Sequence, residues 1–130
     1  MSQTRIEQGT GQRFLVSLPV RVEWDEEKTG KRVVAEGTTE NVGPAGALVT
    51  LQPLPAVGSR IHISVRGARG SRVETDAEVV RLVRDLQQPQ ASISVIKSKE
   101  EWRGRVWEAA RILAEQSASE DADDESMSVN

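Results

Sequence analysis

The stretch Asn41-Val42-Gly43-Pro44-Ala45-Gly46 holds the residue types best suited to chemistry in this chain. Two glycines stand three apart, behind an asparagine and just ahead of the apolar run Ala47-Leu48-Val49. The stretch has two readings. A tight chain reversal needs residues that tolerate positive φ, which Gly and Asn do at little cost, while Pro44 sets its own φ and restricts Gly43 before it. A turn that holds a ligand uses the same residues because glycine lets backbone and ligand approach closely. On the loop alone both readings stay open.

Other candidates are weaker. His62 is the single histidine and falls on the polar face of an expected strand. With no cysteine to join it, a metal site has no ligand set, and an ordinary surface residue is expected. Asp76 and Glu78 are two apart on one strand face, as an acid pair would be; a solvated outer face explains them equally well. Ser98 suits a helix cap better than a nucleophile, since the chain has no second histidine and no G-x-S-x-G elbow. Nothing points to catalysis, and neither a metal nor a cofactor is expected.

A length of 130 residues suits one domain, and a hydrophobic fraction of 37% is enough for one modest core. Phe14, Trp24, Trp102 and Trp107 are the only aromatic residues, so the core must be built from Val, Ile and Leu, which favours strands. The absence of cysteine excludes disulfides and thiol chemistry. No apolar run approaches the ~20 residues that span a bilayer. The start of the chain lacks the apolar stretch of a signal peptide, so a cytoplasmic protein is expected. The formal charge of −3 is unevenly placed. Residues 117–130 carry five acids and no base, which leaves 17 bases against 20 − 5 = 15 acids elsewhere, or +2. That excess is too small for general nucleic-acid binding but leaves room for a local anion site.

The elements that must position these residues follow from periodicity. Residues 1–11 are polar and patternless and read as a flexible arm. From Phe14 to Trp24 six apolar residues recur at every second position, the pattern of a half-buried strand. Pro19 on its polar face cannot donate a ladder hydrogen bond, which predicts a sheet edge or a bulge there. Five further strands are expected over 31–41, 46–54, 59–67, 72–84 and 91–96. Gly37 weakens the second or marks a bulge, and a slip of pattern at Val79-Val80 predicts a bulge in the fifth. After Ile96 the period becomes helical. Ser98 and Glu101 have the spacing of a capping box, and Trp102, Val106, Ala109 and Leu113 form an apolar stripe. Trp107, five residues from Trp102, falls outside that stripe and hints at a partner surface. Gly104 lowers helix propensity by about 1 kcal/mol, so the stripe must be packed. Six strands and one helix suggest a small antiparallel barrel with a helix at its side or mouth. The acidic tail 117–130 has nothing to bury and reads as disordered.

Arg13 stands just before the first strand, and the chain then runs through LPVRV, a second strand, N-x-G-x-x-G and a strand beginning GALV, followed by PLPAVGSRIHISV. In this order of elements, over roughly 12–103, the chain resembles the PilZ family. The resemblance implies an all-β fold with one helix: a six-stranded antiparallel β-barrel plus a C-terminal α-helix, over 12–116. It also implies a regulatory module of bacterial second-messenger signalling that binds cyclic di-GMP. The family signature is R-x-x-x-R before the first strand and D/N-x-S-x-x-G after the second. It maps onto Arg13, Asn41, Gly43 and Gly46. Arginine suits such a ligand because its guanidinium forks onto phosphate or the guanine edge and stacks on the base.

Two signature positions depart. The first arginine falls at Gly9 and the serine at Gly43. Each lost charge-assisted hydrogen bond is worth about 1.5–3 kcal/mol, so affinity is expected to fall by roughly 10²- to 10⁴-fold. Arg5 and Arg21, with Lys31 as a further candidate, are the basic residues expected to compensate. The alternative expectation is an adaptor that has lost the nucleotide and acts by protein contact through Trp107 and neighbouring helix residues. In either case an effector protein, which the sequence does not name, would read the module.

Overall fold

Strands form where the two-residue period runs, and a computed structural model describes residues 12–67 and 72–116. The expected arm and tail, 1–11 and 117–130, lie outside the described residues. Six strands follow in order: β1 Pro19–Asp25, β2 Arg32–Gly43, β3 Gly46–Thr50, β4 Arg60–Arg66, β5 Arg72–Val83 and β6 Gln90–Val95. All pairings are antiparallel, and the order β1-β2-β3-β6-β5-β4 closes into a barrel. Closure removes sheet edges, and alternate side chains fill the interior. Val20, Val22 and Trp24 of β1, Ile61, Ile63 and Val65 of β4, and Val73, Ala77 and Val79 of β5 make up much of that core.

Pro19 corrects the expectation of an edge or a bulge. It is the first residue of β1, it pairs in register with Thr38, and β1 meets β4 only from Val20 onward. The apolar alternation upstream of it does continue along β2. Phe14 forms an isolated bridge with Val42, and buried Thr39 fills the gap between. The Thr39 hydroxyl donates to the Val16 carbonyl (2.6 Å) and accepts the Leu18 amide (2.9 Å).

Two bulges interrupt the ladders. In β5, Val79 pairs with Ile93 and Arg81 with Ser92, so Val80 is the extra residue at the expected position. In β2 the bulge lies at Glu40, between Thr39 and Asn41, rather than at Gly37. Gly37 has a different reason to be glycine: a Cβ there would lie 1.8 Å from the Thr50 carbonyl oxygen. The Glu40 bulge has a consequence for side-chain direction. Thr39 points inward, and an uninterrupted strand would turn residue 41 inward as well. The extra residue sends Val42 into the core instead and leaves Asn41 on the outer side.

The C-terminal helix covers 99–116 and packs across β2 and β5. Its start departs from a capping box. Ser98 is left-handed (φ 55°), and its side chain makes no capping bond. Glu101 instead faces Arg105, at 3.5 Å. From Trp102 to Trp107 the helix is π-helical, with Gly104 inside that stretch and open space around it. The wider turns move the buried stripe to Trp102, Val106 and Ala110, with Leu113 against its edge, so Ala110 takes the place expected for Ala109. They also bring Trp107, five residues on, round toward the barrel. The Trp102 indole is fully buried and donates to the Gly43 carbonyl at 3.0 Å.

On the outer face His62 bridges two acids. Nδ1 lies 3.0 Å from Asp76 Oδ1, Nε2 lies 3.0 Å from Glu74 Oε1, and Lys97 Nζ reaches Asp76 Oδ2 at 3.3 Å. The hydrogen bond to Asp76, then that to Glu74, raises the His62 pKa above 6.5. The bond from His62, then that from Lys97, lowers the Asp76 pKa below 3.8 despite partial desolvation. The pair Asp76 and Glu78 is thus split, with Asp76 tied to His62 and Glu78 exposed opposite Arg60.

Stability should follow these contacts. His62 contributes fully below its unfolded pKa of about 6.5 and loses the contribution as pH rises through the raised folded value. The Asp76 contribution is present above its unfolded pKa of about 3.8 and is lost as pH falls through the lowered folded value. Thermal unfolding at pH 5 and pH 8 should show a loss of stability at the higher pH that His62→Gln abolishes; an unchanged difference in the variant would contradict the network. The glycines give a second test. A methyl at Gly46 would lie 2.2 Å from the Ile93 carbonyl oxygen, whereas Gly104 faces open space. Gly46→Ala should destabilise by about 1–3 kcal/mol or more, and Gly104→Ala should stabilise by up to ~1 kcal/mol. Urea unfolding curves that shift the same way for both would refute this account.

Candidate functional site

The Phe14 bridge is what delivers Arg13 to the turn. Phe14 and Val42 exchange backbone hydrogen bonds of 2.9 Å in both directions, which anchors the chain beside the end of β2. Arg13 then donates from a terminal guanidinium nitrogen to Asn41 Oδ1 at 2.6 Å. Its side chain also lies over Gly43, where a Cβ would come within 3.3 Å of Arg13 Cγ and Cζ. Arg13, Asn41 and Gly43 therefore form one cluster at the barrel rim.

Gly43 and Gly46 pair with each other across the two-residue turn Pro44-Ala45. Neither has positive φ; among the described residues only Gly30, Gly58 and Ser98 do. The two glycines are needed for contact rather than for backbone conformation. Gly43 gives room to Arg13, and Gly46 lets β3 approach the Ile93 carbonyl. The corner is also tied from behind, because the Val95 amide donates to the Ala45 carbonyl at 2.9 Å.

A shallow groove of about 200 Å³ opens beside the turn, lined by Arg13, Pro44, Ala45, Val80, Ser92 and Ser94 among others. The last three were not legible as site residues. Ser92 and Ser94 face outward on β6, and only the pairing of β3 with β6 sets them opposite Leu48 and Gly46. Val80 is the bulge residue of β5 and stands out of the ladder. The slip at Val79-Val80 was the one sequence signal that pointed to it.

The other expected residues are placed elsewhere. Arg21 lies on the outer face of β1, paired with Glu23 at 3.2 Å and Glu36 at 3.8 Å, and lines a separate groove. Lys31 lies just before β2, at the end of that strand remote from Asn41. Arg5 and Gly9 lie outside the described residues. Trp107, expected to be free for a partner, is occupied within the chain. Its indole nitrogen donates to the Gln12 carbonyl at 2.7 Å, its ring lies 6.0 Å from that of Phe14, and the Arg103 guanidinium sits 5.4 Å from its centre. It clasps the segment that carries Arg13.

Compared as a sequence, the chain matches no family model and no curated protein. Compared as a structure, it is similar to the PilZ domain of YcgR from Escherichia coli, solved with c-di-GMP: TM-score 0.56 at 19% identity, covering 85% of this chain and 94% of that one. The fold is that of a PilZ domain. The PilZ domain of CeSA from a cellulose-synthesising bacterium is similar too, with a TM-score of 0.53 at 15% identity over 80% of this chain and 95% of that one. So is the Bacillus subtilis inhibitor of motility, MotI/DgrA, with a TM-score of 0.58 at 16% identity over 78% of this chain. The chain spans about half the length of that last protein, 48%. At these identities the likeness is one of fold. No helix of the described PilZ barrel is long and apolar enough to cross a membrane.

The clasp gives a test. Trp107→Ala removes both the ring contact and the bond to Gln12, so the amide of Phe14 should exchange with solvent faster while those of β4 and β5 keep their protection. Hydrogen exchange read by NMR distinguishes this from general loosening; unchanged exchange at Phe14 would show that the clasp does not hold the segment.

Proposed function

We propose that this chain is a regulatory module of bacterial signalling that binds cyclic di-GMP at the barrel rim, between the segment carrying Arg13 and the Asn41–Gly46 turn. The observation that carries the reading is the placement of Arg13 against Asn41 and Gly43, beside an open groove. The likeness of fold to structures of YcgR solved with c-di-GMP supports it.

In this reading the Arg13–Asn41 bond is a ground-state pairing that the ligand replaces. The guanidinium is exposed and forks onto a phosphate or a guanine edge. Asn41, released, offers both an acceptor and donors. The groove beside the turn takes the base, with Val80 as an apolar wall and Ser92 and Ser94 as hydroxyls near the place where Gly43 supplies none. With Gly9 and Gly43 at two signature positions, binding is weak. The ligand draws the preceding arm residues against the turn. Because Gln12 is bonded to Trp107, that movement reaches the C-terminal helix, where an effector protein reads it. In this reading the module carries out no reaction of its own.

The alternative of a nucleotide-free adaptor rests on Trp107 and its helix neighbours, and the Trp107 indole is engaged within the chain by Phe14 and Gln12. Such an adaptor would use apolar surface around it, such as Ile112 of the same helix, 45% exposed, or Leu15, 82% exposed.

Calorimetric titration with cyclic di-GMP decides between them. The wild-type chain should bind in the micromolar range or somewhat weaker, and Arg13→Ala should weaken binding about tenfold or more. The variant should unfold at the same temperature, because the side chain is exposed. No heat at millimolar ligand would refute the receptor reading and favour the adaptor.

A further inference from the structure

A second groove lies away from the proposed cyclic di-GMP site, on the outer face where β2, β1, β4 and β5 run side by side. It is the larger of the two, about 350 Å³, and the two grooves share no lining residue. Pro19 and Ser64 are small lining residues, and Arg21, Arg66, Arg72 and Glu36 stand around them. The formal charge of this lining is 3 − 1 = +2. We propose that this groove is a binding site for a small anion carrying two adjacent phosphates, such as a diphosphate group.

Three observations carry the proposal. First, Arg66 and Arg72 are direct cross-strand partners in the β4–β5 register. Like charges set opposite each other in a ladder repel and destabilise the pairing, so this sequence keeps a local cost that an anion between the two would remove. Second, among the described residues neither arginine forms an ion pair. Glu74, the nearest acid of β5 on that face, is bonded to His62 instead. Third, the groove has a polarity. Glu36 and Glu23 hold Arg21 on one side, at 3.8 Å and 3.2 Å, and would repel an anion there. Phosphate charge is therefore directed to the Arg66–Arg72 side, which Ser64, the register partner of Arg21 on β4, separates from Arg21.

The size and donor set narrow the class. A volume near 350 Å³ is at the small end of ligand sites, which run from about 300 to 1,000 Å³. It suits a small molecule better than a polymer track. Two guanidinium groups on directly opposed residues offer paired N–H donors that match the oxygens of adjacent phosphates and exceed what one phosphate needs. A patch of +2 confined to one groove is too small for nucleic acid.

Inorganic pyrophosphate is the probe. Calorimetry with the full chain at low ionic strength should show saturable binding at one site, weakening as salt rises. Arg66→Ala and Arg72→Ala should each weaken it about tenfold or more, with circular dichroism unchanged because both side chains are exposed. Arg60→Ala, an exposed arginine of β4 outside the groove, should leave the affinity as it was. Absence of saturable binding at low ionic strength would overturn the proposal. Equal weakening by Arg60→Ala would overturn it too, because diffuse attraction to a basic surface would then explain the binding.

Discussion

One inserted residue governs the geometry of the rim. The ladder of β2 runs inward and outward in strict alternation until Glu40, where the bulge adds a residue that no partner opposes. Without it, Asn41 would face the core and Val42 the solvent. With it, Val42 is fully buried and Asn41 meets Arg13. A closed barrel leaves little other freedom. Each strand is paired on both sides, so the register cannot slip to bring a polar side chain out, and a local insertion is the available device. The β5 bulge does the same for Arg81, which is exposed where the alternation would turn it inward, and the extra residue Val80 stands in the groove beside the same turn.

The second constraint is the π-helical stretch of the C-terminal helix. In an α-helix, residues five apart diverge. Here Trp102 and Trp107 both turn to the barrel and act on the two halves of the rim. Trp102 reaches the Gly43 carbonyl, a buried acceptor that would otherwise lack that partner. Trp107 holds the Gln12 carbonyl and the Phe14 ring. The turn and the segment before β1 thus have separate indole anchors on one helix, with Arg13 and Asn41 meeting between them. This arrangement explains why the helix tolerates Gly104 in its middle: packing of the two tryptophans, rather than intrinsic propensity, sustains it.

The rim groove and the outer-face groove are built in different ways. At the rim, charge is brought by a segment outside the barrel and held by one neutral amide. On the outer face, arginines rise directly from the strands and are spaced by the ladder itself. The first arrangement depends on the Phe14 bridge and the Trp107 contact, the second on strand pairing alone.

Much of this was legible in the residues. The alternation over Val20, Val22 and Trp24, the triplet Ile61, Ile63 and Val65, and the slip at Val79-Val80 announced strands and a bulge, because side-chain direction along a strand depends only on neighbours in sequence; the same alternation upstream of Pro19 forms only the Phe14 bridge. The Glu40 bulge was not legible. Thr39, Glu40 and Asn41 are all polar, so the alternation had no apolar mark to break. Nor was the true reason for Gly37, Gly43 and Gly46, whose neighbours Thr50, Arg13 and Ile93 come from other elements. The Ser98 conformation and the direction of Trp107 are not legible either, because periodicity assumes regular α-geometry, which a left-handed residue and wide turns replace here. The sequence by itself determined the number of strands, their inward faces and the nearness of Arg13 to the first of them, since these follow from local periodicity and chain order. Only the tertiary structure decided which strands are neighbours, and so which hydroxyls, glycines and arginines share a groove, because barrel closure pairs residues that lie far apart along the chain.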